Sequence, residues 1–220
     1  MTIRIALERL EAEGVLVRTP GGAVLKRRMS EETFYVERES ASAEEKRRIA
    51  AAAAALIEPG ETVFLSSGTT AAQVISHIDP SLEARIVTHN VGALQAAHGL
   101  RTEVVLVGGL YRPRSNAVSG PLSIEHVSRF HAGKMLIGVD GFDVEEGLTT
   151  PTMGMAGVER VMIAQTRGEV VALADASKIG VVADVVICGL EQVDTALVDD
   201  GVDESVRDEI TRHGLRCVVV

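Results

Sequence analysis

A run of hydroxyl-bearing residues around one glycine is the most chemically suggestive feature of this sequence. It comprises Ser66, Ser67, Gly68, Thr69 and Thr70. Glycine permits a tight turn, the hydroxyls donate hydrogen bonds, and a helix beginning here would offer free N–H groups and its positive dipole end. These properties suit a phosphate group. A helix N-cap and turn without any ligand accounts for the same residues, so the run by itself leaves both interpretations open.

Small and polar residues also follow the other predicted strands. They are Thr88, His89, Asn90, Gly108, Gly109, Asp140, Gly141, Asp175 and Lys178, with Thr149 and Thr150 preceding a later helix after a short loop. Ligands of open α/β sheets bind outside the carboxyl ends of the strands, so residues that converge there favour a binding site. We expect Lys178 to neutralise an anion, and Asp140 and Asp175 to accept hydrogen bonds from sugar hydroxyls. Taken singly, the two aspartates are equally well explained as caps, Lys178 as a solvated charge and His89 as a packing residue.

Apolar runs alternate with segments of helical periodicity over most of the chain, which predicts an α/β domain with a doubly wound, mostly parallel sheet. Strands are predicted at residues 62–65, 85–88, 103–107, 135–139, 170–174, 185–188, 195–198 and 216–220. Helices are predicted between them at residues 69–78, 91–98, 122–129, 156–166 and 205–213. Several strands are continuously apolar, as a sheet covered on both faces requires.

The first 28 residues differ in character from the rest. They hold six basic and three acidic residues, whereas the whole chain carries a net charge of −9. A helix at residues 2–13 followed by a hairpin of residues 15–18 and 23–26 is typical of the end of a winged helix, which faces a polyanion. We therefore divide the chain into a partial winged helix-turn-helix (1–28), a linker (29–42) and an α/β domain (43–220). The α/β domain opens with a long helix over residues 43–57.

Composition excludes several classes of protein. Hydrophobic residues make up 46% of the chain, enough for a sizeable core, and no apolar run reaches the roughly 18 residues that span a bilayer. Cys188 and Cys217 lie in apolar runs, which favours buried free thiols over a disulfide or a metal site. The sequence predicts a cytoplasmic protein with no membrane partner, no cofactor and no metal.

The order of these motifs resembles the DeoR-type transcriptional regulators over nearly the whole chain. Thr2-Ile3-Arg4, Leu7 to Gly14 and Gly21 to Val24 are similar to the end of the DNA-binding domain and its wing, and residues 67–70, 147–150 and 175–178 match the effector domain. The resemblance implies a fold like ribose-5-phosphate isomerase and a repressor of sugar catabolism whose C-terminal domain binds a phosphorylated sugar or similar anion. It further implies a homo-oligomer and DNA contacts by Thr2, Arg4 and Arg9.

The chain departs from the family pattern in three ways. A family member would begin about two helices earlier, so operator DNA is expected as a partner where the full N-terminal domain is present. Ile5 and Ala6 stand where the family has Arg and Asp, and Ser66 and Met155 where it has carboxylates. Two alternatives remain open. One is a sugar-phosphate isomerase using Asp140 with Lys178, and the other is a regulator that acts only by assembling with full-length partners.

Overall fold

The N-terminal segment forms the predicted helix and hairpin. The computed structural model describes residues 3–12, 16–19, 22–25 and 27–220. Helix α1 spans Ile3–Ala12, and strands β1 (Leu16–Thr19) and β2 (Gly22–Leu25) pair antiparallel. The predicted helix end at Glu13 and Gly14, and the turn residues Pro20 and Gly21, lie outside the described residues.

The remaining elements follow in a largely alternating order. The helices are α2 (Tyr35–Ser40), α3 (Ala43–Ala54), α4 (Thr69–Ser76), α5 (Pro121–Val127), α6 (Met153–Gln165) and α7 (Glu204–Arg212). The first strands are β3 (Arg27–Met29), β4 (Thr62–Leu65), β5 (Arg85–Thr88), β6 (Glu103–Leu106), β7 (Leu110–Arg112), β8 (Ala117–Ser119) and β9 (Ala132–Gly138). The later strands are β10 (Gly141–Asp143), β11 (Gly147–Thr150), β12 (Thr166–Ala174), β13 (Val181–Ala183), β14 (Val185–Cys188), β15 (Thr195–Val198) and β16 (Arg216–Val219).

A seven-stranded, wholly parallel sheet organises the domain, which confirms the predicted α/β class. Its order is β16-β15-β12-β9-β4-β5-β6. On one side of β4 the chain continues outward through β5 and β6, and on the other side it continues outward through β9, β12, β15 and β16. The strand order therefore reverses between β4 and β9, which are far apart in the sequence. A ligand site in a sheet of this kind is expected at the carboxyl ends beside such a switch point.

Both faces of the sheet are covered by apolar side chains. In β4, Phe64 belongs to the core cluster that includes α6, whereas Val63 and Leu65 belong to the cluster with α3 and α4. In β9, Met135 and Leu136 divide in the same way. Burial on both faces explains why these strands read as continuous apolar runs in the sequence.

Three elements differ from the sequence prediction. The strand at Val185–Cys188 does not join the parallel sheet, because β14 pairs antiparallel with β11 in a separate sheet ordered β10-β11-β14. Residues 147–150, which are not among the predicted strands, form β11 of that same sheet. The predicted helix at 91–98 is a 3₁₀ segment over Val91–Ala97. Short apolar runs do not reveal which sheet they join, since pairing depends on distant partners.

The predicted linker, residues 29–42, contains ordered structure packed on the α/β domain. β3 pairs in parallel with β13, and α2 follows with Tyr35 buried. Cys188 and Cys217 are free thiols, the first buried and the second half-buried. Within the described part of the chain, no helix has the length and apolar character needed to cross a membrane.

Candidate functional site

A cavity opens at the carboxyl ends of β4 and β9, beside the switch point of the sheet. It encloses about 440 Å³ of space, open solvent included. Seven of the residues predicted from the sequence line it: Ser67, Gly68, Thr69, Thr70, Asp140, Thr150 and Lys178. Six further lining residues were not predicted: Arg38, Lys46, Gly138, Val139, Glu159 and Ile187.

The loop from Ser67 to Thr70 lines this cavity and leads into α4. Gly68 precedes α4 with φ 102° and ψ 166°, a conformation open essentially to glycine alone. Among the described residues, none accepts a hydrogen bond from the N–H of Gly68, Thr69 or Thr70, as expected at the first turn of a helix. Free N–H groups at the positive end of a helix dipole are suited to an anion.

Ser66 lies behind this loop and does not line the cavity. It is fully buried, and its Oγ accepts a hydrogen bond from the N–H of Gly138 at 2.8 Å and donates to the carbonyl of Ser67 at 3.1 Å. Ser66 thereby ties the loop to the end of β9. Its role is to position the loop, since its side chain is occupied by backbone groups.

Thr88, His89 and Asn90 support the loop from the end of β5 and are also fully buried. Thr88 Oγ1 donates to the carbonyl of Leu65 at 2.7 Å. Asn90 Nδ2 donates to the carbonyls of Ser66 and Gly68 at 3.2 and 2.9 Å. These bonds hold the carbonyl oxygens of Leu65, Ser66 and Gly68 against buried side chains and so fix the conformation of the loop.

His89 holds the N–H of Ser67 and has a defined tautomer. Its Nε2 accepts from the Ser67 N–H at 3.0 Å, and its Nδ1 lies 3.1 Å from the carbonyl of Val118. Because Nε2 is an acceptor, the proton resides on Nδ1, which donates to Val118. Burial lowers the pKa of His89 to about 4, so the ring is neutral at physiological pH.

Neutral, buried His89 should make stability depend on pH. The unfolded chain takes up a proton near the ordinary pKa of 6.5 and the folded protein only near 4, so stability is lost as pH falls from 6.5 to 4. The contribution of His89 alone to this loss is on the order of 3 kcal/mol, read as the difference between wild type and a His89 variant. Chemical denaturation of wild type and His89→Gln across this range checks it, because the variant should lose the slope.

The exposed His98 supplies a control, since His98→Gln should retain the wild-type slope. The contribution of Glu159 is common to wild type and variants, so a free energy of unfolding that changes equally with pH in wild type and His89→Gln would contradict this assignment of His89.

Two lysines bring positive charge to the cavity. Lys46 projects from α3 and is only 2% exposed, and its Nζ donates to the carbonyls of Arg38 and Ala41, each at 2.5 Å. Burial lowers the pKa of Lys46, while the Asp175 carboxylate acts in the opposite direction. Lys178 ends a 3₁₀ segment after β12 and is half-buried.

Asp140 follows β9 and is held by two protein groups. Its Oδ1 accepts from Arg38 Nη1 at 2.7 Å and its Oδ2 accepts from Thr150 Oγ1 at 2.8 Å. Both Asp140 and Thr150 are predicted from the sequence to contact the ligand. Both residues line the cavity, but they are hydrogen-bonded to each other. A ligand hydroxyl that donates to Asp140 would therefore share the carboxylate oxygens with Thr150 and Arg38.

Glu159 is the most unusual lining residue, because it is a buried carboxyl group. It is 3% exposed, its Oε1 lies 3.5 Å from Ser67 Oγ, and its Oε2 has no hydrogen-bond partner among the described residues. Burial and the nearby Asp140 carboxylate raise the pKa of Glu159 well above its usual range. This shift favours the neutral form of Glu159, so the positive charge of the cavity comes from Lys46, Lys178 and the paired Arg38.

The other predicted ligand residues lie outside this cavity. Gly108 and Gly109 pack on α5, where Ser123 Oγ donates to the Gly108 carbonyl at 2.8 Å. Gly141 lies against the backbone of β13, and Thr149 Oγ1 accepts from the Ala183 N–H at 2.9 Å. These predictions came from position after a strand or, for Thr149, before a helix, and position in the sequence does not reveal whether a neighbouring element covers the residue.

Asp175 is buried next to the cavity without lining it. One carboxylate oxygen accepts from the Ser177 N–H at 3.0 Å and from the Ser177 hydroxyl, while the other has no partner among the described residues. The Asp175 carboxylate raises the pKa of Lys46, against the effect of burial. Asp175 is therefore placed to set the charge of the cavity lysine, which differs from the predicted contact with sugar hydroxyls.

Two of the missed residues carry a signal in the sequence. Lys46 precedes Ile49, Ala50 and Ala53 at helical spacing, so it shares their buried face. Glu159 likewise shares a face of α6 with Met155 and other buried residues. A charged side chain on an apolar helix face is a functional candidate. Arg38 lies on a short, mostly exposed helix and gives no such signal.

The predicted DNA-contacting residues are at the start of the chain. Arg4 is exposed on α1 and its Nε lies 3.3 Å from Glu8 Oε1. Arg9 is also exposed, one turn further along. Thr2 lies outside the described residues. Among the described residues, no group of three or more potential ligands is placed to hold a metal ion.

The geometry above defines an α/β domain with a cationic cavity at a helix N-terminus, and comparison with known proteins supplies its family. Residues 41–200 match the model of the DeoR C terminal sensor domain. The HTH-type transcriptional regulator GlpR of Haloferax volcanii is 32% identical over 99% of this chain and 85% of its own length. The HTH-type transcriptional repressor GlcR of Bacillus subtilis is 31% identical over 99% and 84%.

The chain belongs to the DeoR family of transcriptional regulators, which confirms the resemblance seen in its motifs. Among solved structures, ribose 5-phosphate isomerase A of Methanocaldococcus jannaschii is similar with a TM-score of 0.47 and 18% identity, over 63% of this chain and 55% of that one. Similarity at this level supports no inference about ligand or activity.

Proposed function

We propose that this protein is a transcriptional repressor whose α/β domain senses a phosphorylated sugar or a related small anion. The phosphate binds the loop of Ser67, Gly68, Thr69 and Thr70, and Lys178 provides the counter-charge. Binding changes the affinity of the N-terminal segment for operator DNA, which Arg4 and Arg9 contact. The protein acts in the cytoplasm as a homo-oligomer.

One observation carries the proposal: N–H groups without a partner among the described residues begin α4, whose first residues line the same cavity as Lys46 and Lys178. Asp140 in that cavity is paired with Arg38, and burial with the nearby Asp140 carboxylate raises the pKa of Glu159 and favours its neutral form. Phosphate combines charge with several acceptor oxygens, so it uses both features. The names of the relatives, as regulators and repressors, support sensing over turnover.

An isomerase acting on the same ligands is the alternative function. It would need a general base near a sugar carbon, and Asp140 is the candidate. The Asp140 oxygens already accept hydrogen bonds from Arg38 and Thr150, so a substrate proton would have to displace one of these donors to reach the carboxylate. Turnover of an aldose phosphate that Asp140→Asn abolishes would favour the enzyme.

Calorimetry with a panel of sugar phosphates, inorganic phosphate and the unphosphorylated sugars tests the proposal. We expect binding of at least one sugar phosphate, weaker binding of phosphate, and none of the free sugars, because the loop recognises the anion. If neither sugar phosphates nor phosphate bind, the proposed site is wrong.

Replacing Gly68 with alanine should damage the loop. At φ 102° an alanine is strained, which costs about 1–3 kcal/mol of stability. The strain also turns the N–H groups of the loop, so phosphate affinity should fall by at least about 10-fold, equivalent to one good hydrogen bond. Thermal unfolding and calorimetry measure the two effects.

Gly214 provides a matched control at the far end of α7. It also has a positive φ, 94°, and an added Cβ there would meet no atom within 4 Å. Gly214→Ala should lose stability and keep phosphate affinity. Equal affinity in Gly68→Ala and Gly214→Ala would show that the loop does not bind the anion.

A further inference from the structure

The linker contributes a side chain to the cavity of the sensor domain. Arg38, on α2, forms an ion pair with Asp140 across 102 positions of sequence, with 2.7 Å between Nη1 and Oδ1. Its side chain is 13% exposed and lines the cavity. Arg38 lies outside residues 41–200, which match the sensor-domain model.

The segment around Arg38 is fastened to the sensor domain upstream of α2. β3 pairs with β13, and the Glu32 carboxylate accepts hydrogen bonds from Arg112 and Ser115. The Tyr35 N–H donates to the carbonyl of Arg114 at 2.8 Å. These contacts place α2 at the cavity edge and connect it through β3 to the N-terminal hairpin.

The end of α2 has a second link to the cavity, through Lys46. Its ammonium group donates to the carbonyls of Arg38 and Ala41, so it closes the last turn of α2. Both links between α2 and the cavity therefore use cations. An anion entering the cavity competes with Asp140 for Arg38 and with the two carbonyls for Lys46.

Arg38 also has unused hydrogen-bonding capacity. Its Nε is buried and has no partner among the described residues, while Nη1 is held by Asp140. A guanidinium group presents a planar fork that matches phosphate with two parallel hydrogen bonds. A phosphate at the loop offers the second acceptor that the Asp140 pair does not supply.

We infer that Arg38 is an effector-binding residue supplied by the linker, and that the effector anion draws it away from Asp140 and so repositions α2. The inference rests on the proposed anion site. A ligand shifts a conformational equilibrium by as much as it binds one arrangement better than the other. Here the difference is the exchange of an Arg38–Asp140 contact for an Arg38–anion contact.

Calorimetry with inorganic phosphate on the full 220-residue chain tests the contact. Arg38→Met should bind phosphate about 10- to 100-fold more weakly than wild type, the range expected for a charge-assisted hydrogen bond. Arg47→Met is the control, because Arg47 pairs with Glu44 on the exposed face of α3. Arg38→Lys retains the charge without the fork, and should remain folded with an intermediate affinity.

Asp140→Asn separates the exchange of partners from simple charge repulsion. Loss of the Asp140 charge frees Arg38, so phosphate should bind several-fold more tightly than in wild type. In the double variant with Arg38→Met that gain should vanish. An equal gain in both backgrounds would mean that Asp140 only repels the anion, and would overturn the exchange.

Hydrogen exchange over residues 35–41 reports the position of α2. Phosphate should change the exchange of these amides in wild type and leave them unchanged in Arg38→Met. If Arg38→Met binds phosphate as wild type does, the inference fails and the proposed function stands. If wild type binds neither phosphate nor any sugar phosphate, both fail.

Discussion

Replacing Lys178 with methionine should weaken phosphate binding by about 10- to 100-fold, since one charge-assisted contact is worth roughly 1.5–3 kcal/mol. Lys178 lines the cavity, and its ammonium group has no hydrogen-bond partner among the described residues. The variant therefore leaves no protein group unpaired, and stability should stay within about 0.5 kcal/mol of wild type. A large binding effect without a stability effect is characteristic of a ligand contact.

Calorimetry at low and high salt measures the contribution of Lys178. Lys178→Arg should retain most of the affinity, and the exposed Arg101→Met, paired with Glu83 away from the cavity, should bind as wild type. The affinity lost in Lys178→Met should be smaller at high salt because screening weakens the attraction. Unchanged affinity in this variant would place the anion away from Lys178.

Glu159→Gln should make the protein more stable at neutral and alkaline pH. Burial and Asp140 raise the pKa of Glu159 well above its ordinary value of 4.5. The folded protein keeps the proton that the unfolded chain releases, so stability is full below 4.5 and falls as pH rises toward the folded pKa. Glutamine has no proton to lose, so its stability should not fall through this effect.

The loss of stability from Glu159 begins above its ordinary pKa of 4.5 and continues toward the raised pKa of the folded protein. His89 has the opposite slope between 4.5 and 6.5, but it is present in both proteins and cancels in the comparison. Denaturant unfolding from pH 4.5 to 9 should show wild type losing stability relative to Glu159→Gln. The exposed Glu83→Gln serves as control and should follow wild type.

Phosphate affinity gives a second readout for Glu159. A neutral amide replaces a neutral carboxyl group of similar shape, so Glu159→Gln should bind phosphate within about threefold of wild type, or less than 1 kcal/mol. A marked gain in affinity at neutral pH would show that Glu159 is ionised in the folded protein. The assignment of a neutral cavity carboxyl would then be wrong.

Sequence reasoning predicted the anion loop but could not distinguish its lining from its supports. Ser67 and Thr70 line the cavity, whereas Ser66 and Thr88 are hydrogen-bonded to backbone behind it. All four are hydroxyl residues at strand ends, and composition does not tell which way each points. That direction depends on the turn at Gly68 and on the neighbouring strand.

The sequence by itself determined the alternation of strands and helices, the helix N-terminus after β4 and the family. These are local properties, since apolar periodicity and turn chemistry act within a few residues. Only the tertiary structure decided that Arg38 meets Asp140, that β14 leaves the parallel sheet and that burial raises the pKa of Glu159 in the cavity. Each depends on groups distant in sequence, whose burial and pairing no local pattern encodes.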